Sequence, residues 1–143
     1  MAKAKKTGPN LWLFKEEPSH YSYADFERDG ETNWTGVSNA LALKHLRNCT
    51  AGDRVFYYHT GNEKAIVAIA TVIAPNKPQD QSTKDVAVTI RPWGWLKHPV
   101  SLARIKSEKS LSGWELARIS RLSIMPVTLA QWRKVMELSA KPS

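Results

Sequence analysis

The chain has 143 residues, 42% hydrophobic and 24% charged, enough for one domain with a sizeable core. No apolar run approaches the ~20 residues of a membrane helix, and the first ten residues lack the apolar stretch of a signal peptide, so a cytoplasmic protein is expected, or a nuclear one in a eukaryote. Cys49 is the single cysteine, which excludes an internal disulfide and a cysteine-rich zinc site. The formal charge of +8 is uneven: residues 1–83 carry 10 Lys and Arg against 9 Asp and Glu, and residues 84–143 carry 11 against 4. That basic C-terminal part suits an anionic partner such as nucleic acid, although a solvated basic surface has the same signature.

In chain order, residues 1–10 read as a disordered basic tail with Lys3, Lys5 and Lys6, ended by Gly8-Pro9. Leu11-Trp12-Leu13-Phe14 predicts a buried first strand, which Lys15-Glu16-Glu17-Pro18 leaves. Ser22-Tyr23-Ala24-Asp25 has the form of a capping box and opens a short helix stopping near Gly30. Then Trp34, a bend at Gly36 and two capping candidates, Ser38 and Asn39, lead into a helix reaching Arg47. Its apolar stripe is Val37, Ala40, Leu43 and Leu46. Two readings of this stretch stand side by side. Trp34 and the unpaired N–H groups of the helix start could form a ligand-binding corner, or Trp34 is core and Gly36 only turns the chain.

After the turn Ala51-Gly52-Asp53, the aromatic run Arg54–His59 predicts a strand, closed by Thr60-Gly61-Asn62 and paired as a hairpin with a long apolar strand over Lys64–Ile73. The second of these has little polar alternation and belongs in the middle of a sheet or barrel. Residues 75–84 are a loop, and 85–95 another strand, bent or edged at Pro92 and Gly94. From Val100 the pattern turns helical. Ser101 caps a short helix with Leu102 and Ile105, and Ser112-Gly113-Trp114-Glu115 reads as a capping box. Thr128 caps a last helix with Leu129, Trp132, Val135 or Met136, and Leu138 inward. The order of elements is that of an α+β fold, a small, largely antiparallel sheet or barrel with helices around it.

The four histidines are scattered without metal-ligand spacing, so neither a metal nor a cofactor is expected. His59, at a strand end, is the one histidine that suggests a site, with a hydrogen-bonding role favoured over that of a general base. Cys49 reads as a small buried filler. There is no glycine-rich phosphate loop or dinucleotide fingerprint. Recognition of a base fits better. Trp34 and Tyr58 would supply walls, Asn39, Glu17 and Ser123 the edge contacts, and Arg121 with the basic C-terminal part the phosphate contacts.

Lys15, Glu17 and Pro18 after the first strand, followed by Tyr21-Ser22, resemble the opening of the EVE domain family, one of the PUA-like folds. Trp34-x-Gly36-Val37-x-Asn39 is similar to that family's Trp-x-Gly-Val-Arg-Asn signature. Gly52-Asp53, Phe56-Tyr57-Tyr58-His59, Ile66–Ala70, Pro99–Leu102, Ser120–Ser123 and Pro126-Val127 follow in the family's order, from about Leu11 to Leu138. The resemblance implies a PUA-like mixed or antiparallel β-barrel surrounded by helices, over residues 11–139. It also implies a pocket for a modified base, since relatives read modified cytosine in DNA and the related YTH domain reads a methylated adenine in RNA. By position that pocket would draw on Lys15, Glu17, Trp34, Gly36, Val37, Asn39, Tyr58, His59, Ser120, Arg121, Leu122 and Ser123. Two positions depart from the family: Ser38 stands where Arg is usual and Ile119 where Gln is frequent.

The expectation is therefore a non-enzymatic reader of a modified nucleobase, modified cytosine in DNA before RNA, with no membrane partner and a monomer assumed. An enzyme acting on a nucleoside or RNA (with Asn39, Lys15, Glu17 and His59 as its candidates) and a small-ligand or protein-interaction module are the alternatives. On this reading Trp34→Ala weakens binding and leaves the fold intact.

Overall fold

The computed structural model describes residues 10–76 and 86–142. The expected basic tail lies, apart from Asn10, outside these residues, as does most of the expected loop over 75–84. Six strands form one mixed sheet: β1 (Leu11–Glu16), β2 (Thr32–Trp34), β3 (Arg54–His59), β4 (Ala65–Asn76), β5 (Ala87–Ser101) and β6 (Ile124–Pro126). Their order across the sheet is β2-β5-β4-β3-β1-β6. All neighbours are antiparallel except β1 and β3, which run parallel with Phe14 beside Tyr57 and Lys15 beside Tyr58. The sheet curls into a half-barrel with helices around it.

Around the sheet lie α1 (Pro18–Tyr21), α2 (Tyr23–Asp29), α3 (Ala40–Arg47), α4 (Leu102–Ser107), α5 (Glu115–Arg118) and α6 (Leu129–Ser139). Helix α3 leaves the β2 edge and packs against β6, the opposite edge, so a helix spans the gap the strands leave open. The core is aromatic. Tyr23, Phe26, Tyr57 and Trp34 meet ring to ring on one side of the sheet, and Trp132 of α6 stacks on Phe56 at 3.7 Å on the other.

Local chemistry explains most of the boundaries. Ser22 and Asp25 form the expected capping box, and Gly30 ends α2 at φ 82°. Thr128 and Gln131 form a second box at α6. Ser101 Oγ accepts from the Arg104 N–H and caps α4. Asp53 ties the turn before β3 to the chain start. Its carboxylate accepts from the N–H groups of Asn10 and Thr50, the Trp12 indole and the Thr50 hydroxyl.

Several expectations need correction. The cap of α3 is Asn39 rather than Ser38, and its buried residues are Ala42, Leu43 and Leu46, with Ala40 exposed, because Val37 lies before the helix and a strict spacing of three drifts off one face of a 3.6-residue turn. Ser112 opens no helix; it closes the 3-10 turn Lys109–Leu111, its hydroxyl donating to the Lys109 carbonyl, and α5 starts from Trp114 without a side-chain cap. Leu129, the first residue of α6, is exposed, and the buried residues of that helix are Val135 and Ser139. Strand β5 runs on through Pro92 and Gly94 to Ser101, absorbing both in register shifts against β4.

Candidate functional site

Side chains alternate along β1 between the faces of the sheet. Phe14 and Glu16 point one way, and the Phe14 ring lies 5.2 Å from that of Trp34, itself 5.7 Å from Tyr57. Lys15 points the other way, its Nζ 5.5 Å from the centre of the Tyr58 ring and donating to the Ser120 carbonyl at 3.1 Å. The parallel register carries the alternation into β3. The expected site residues therefore divide, with Trp34 on one face and Lys15, Tyr58 and the Ser120–Ser123 segment on the other.

On the Trp34 face a cavity of about 280 Å³ opens where β1 ends and β2 begins. It sits just below the usual range for small-ligand pockets, about 300–1,000 Å³, which suits one flat ring better than a large ligand. Its lining is Glu16, His20, Tyr21, Thr32, Asn33, Trp34 and Thr35. Trp34 is both core and wall: it is only 9% exposed, clasped by Phe14 and Tyr57, yet it borders the cavity. Glu16 Oε2 accepts from the Glu17 N–H at 3.0 Å and meets His20 Nδ1 at 3.2 Å. Its Oε1 bonds no described residue. Asn33 Oδ1 accepts from the Thr89 hydroxyl at 2.6 Å, which fixes the amide and leaves its NH2 group as donors. The cavity thus offers an aromatic wall and a carboxylate acceptor, while the Asn33 side chain, beside Thr89 on the face of β2 opposite Trp34, is turned away from that wall.

The other expected residues have structural partners. Glu17 caps α1, its carboxylate accepting from Ser19 and from the Thr60 hydroxyl, and so joins the β1 exit to the β3–β4 turn. Asn39 accepts from the Ala42 N–H as the α3 cap. His59 is buried, with Nε2 accepting from the Tyr23 N–H at 3.0 Å. Its proton is thereby assigned to Nδ1, which donates to Glu63 at 2.7 Å. Both ring nitrogens are thus hydrogen-bonded within the fold. Tyr58 is buried, and burial pushes its hydroxyl up to about 12. Burial also lowers the Lys15 amine below its ordinary value. Gly36, at φ 74°, and Arg121 are exposed, Val37 packs partly on the core and Leu122 is buried in it. The Ser123 carbonyl accepts from the Lys15 N–H at 2.9 Å.

Sequence reasoning passed over Glu16, His20, Thr32, Asn33 and Thr35. One signal was available for Glu16. With the first strand continued two residues past Phe14, alternation sets Glu16 on the Trp34 face. Among the described residues no three His, Cys, Asp or Glu side chains gather as a metal site would require.

The chain aligns with known structures over nearly its whole length. Rpa0253 from Rhodopseudomonas palustris is 40% identical, with 92% of this chain and 93% of that one covered and a TM-score of 0.84. Atu2648 from Agrobacterium tumefaciens is 30% identical, with 91% and 92% covered and a TM-score of 0.84. The human THYN1 protein, solved in complex with 5-methylcytosine containing DNA, shares the fold at 24% identity, with 92% and 98% covered and a TM-score of 0.83. No curated protein matches the sequence. The EVE domain pattern matches residues 10–138, and with these likenesses it establishes that the chain belongs to the EVE domain family.

Proposed function

We propose that the chain is a non-enzymatic nucleic-acid-binding protein that reads a modified cytosine, most simply 5-methylcytosine in DNA, by taking the extruded base into the cavity beside Trp34. The observation that carries this reading is the cavity itself, a one-ring space holding an aromatic wall and a carboxylate oxygen that bonds no described residue. A carboxylate accepts from the N4 amino group of cytosine, which distinguishes it from thymine at the same edge. Thr32, on the same face of β2 as Trp34, gives a 5-methyl group apolar contact through its own methyl. The fold shared with THYN1, whose structure holds 5-methylcytosine DNA, supports the same ligand class. Binding is favoured over catalysis because His20, the cavity's histidine, bonds only Glu16, with no hydroxyl or thiol of a described residue on its other nitrogen.

The test is an anisotropy titration of the full chain with paired oligonucleotides that differ only in one 5-methylcytosine. The wild type should prefer the modified strand about tenfold, the order that one added methyl group contributes in an apolar contact. Glu16→Ala should abolish that preference and leave the weaker, salt-sensitive binding to both strands. Equal binding of the pair by the wild type would overturn the reading.

A further inference from the structure

The basic and aromatic residues of β5 are not used by the cavity. Strand β2 covers β5 only from Val88 to Ile90, so beyond Ile90 that edge of β5 pairs with no other strand among the described residues. Two indoles flank this open edge, Trp93 at 59% and Trp95 at 49% exposure, against a core that buries Trp12, Trp34 and Trp114. The register explains their arrangement. Ala70 pairs with Pro92 and Ile69 with Gly94, so Trp93 is the extra residue of a bulge. A bulge re-aims side chains. Trp95 packs edge-on against Tyr23 at 4.7 Å, on the Tyr57 face. Trp93 turns to the opposite face, where the Arg54 guanidinium lies 5.1 Å from its ring centre.

We infer that Trp93, with Arg54 beside it, is a stacking platform for an unpaired base of a single nucleic-acid strand, a contact separate from the cavity. A large exposed ring held by a guanidinium combines a base-stacking face with a phosphate-attracting charge, the pairing by which single strands are gripped without sequence preference. Lys97 adds a further exposed cation, whereas Arg91 is paired with Glu31 at 2.8 Å. Trp93 stands three residues along β5 from Ile90, the partner of cavity-lining Thr32, or roughly 10 Å at the rise of a strand. Because Trp93 lies on the face opposite the cavity, a strand would have to pass round the open edge of β5 to touch both places. An added protein strand is the rival occupant of an open edge, but Pro92, the bulge, Lys97 and Pro99 are the devices that blunt an edge against such pairing.

The test uses the full chain and an unmodified, fluorescein-labelled oligothymidylate. Trp93→Ala should weaken binding about tenfold while Trp93→Phe, which keeps a stacking face, stays within about threefold of the wild type. Arg54→Gln should flatten the dependence of log K on log salt by about 0.7, the share of one phosphate contact on a single strand. The preference for 5-methylcytosine should survive Trp93→Ala, whereas Glu16→Ala should remove that preference and keep oligothymidylate binding, so the two sites fail separately. Unchanged affinity in Trp93→Ala, with a native melting curve, overturns the inference. So does a concentration-dependent self-association of the wild type that Trp93→Ala abolishes without affecting the oligonucleotide.

Discussion

Trp34 is packed in the core and also borders the cavity proposed to take the base. Its ring is held between Phe14 and Tyr57, and removing a buried aromatic of this size costs ~3–5 kcal/mol. Trp34→Ala is therefore expected to lower the midpoint in urea strongly, contrary to the expectation of an intact fold, and any binding loss in that variant reports folding as much as recognition. Glu16 is the better probe because its side chain is partly exposed and its carboxylate is only half engaged. Asp53 is the structural counterpart. Four donors converge on its buried carboxylate, so Asp53→Ala removes the shared acceptor of the Trp12 indole, the Thr50 N–H and hydroxyl and the Asn10 N–H. A loss of about 3 kcal/mol or more is expected, measurable by denaturant unfolding.

At the scale of elements, the sequence revealed what depends on neighbours along the chain. The capping boxes at Ser22 and Thr128, the Asn39 cap, the hairpin of β3 and β4 and the interior place of β4 all follow from local chemistry and from apolar runs. The three-residue strands β2 and β6 carry no periodicity of their own and exist through pairing with β5 and β1. The division of the expected site follows from the same limit. Lys15 and Trp34 are both near the β1 exit, but only the register of β1 on β3 decides which face each serves. The β3–β4 turn makes the next prediction. Gly61 sits at φ 72°, and a methyl group there would fall 2.5 Å from a Glu17 carboxylate oxygen. Gly61→Ala should cost about 1–2 kcal/mol from backbone conformation alone and should displace Glu17 from Thr60. A thermal melt would show the loss, and an unchanged midpoint would refute the tight turn.

For the whole molecule, buried phenols set the alkaline limit of stability. Burial pushes Tyr23 and Tyr58 up to about 12 and raises Tyr57 further, against about 10 in an unfolded chain. Between those values the native chain keeps protons that the unfolded chain releases, so stability is full below about pH 10 and falls as pH rises toward 12. Lys15 acts the other way, because its lowered value makes its charge a penalty on folding that disappears as pH rises toward 10.5. Three tyrosines against one lysine make the net trend downward, and phenolate absorbance should appear together with the loss of near-UV circular dichroism. Recognition itself is tested most directly by the amide spectrum of the 15N-labelled chain titrated with a 5-methylcytosine oligonucleotide and, separately, with its unmodified twin. The account predicts shifts at Glu16 and at Thr32–Thr35 that saturate at about tenfold lower concentration of the modified strand, and shifts around Arg54 and Trp93 at similar concentrations of both. Identical titrations with the two strands, or cavity residues that stay still while the modified strand binds, would contradict it.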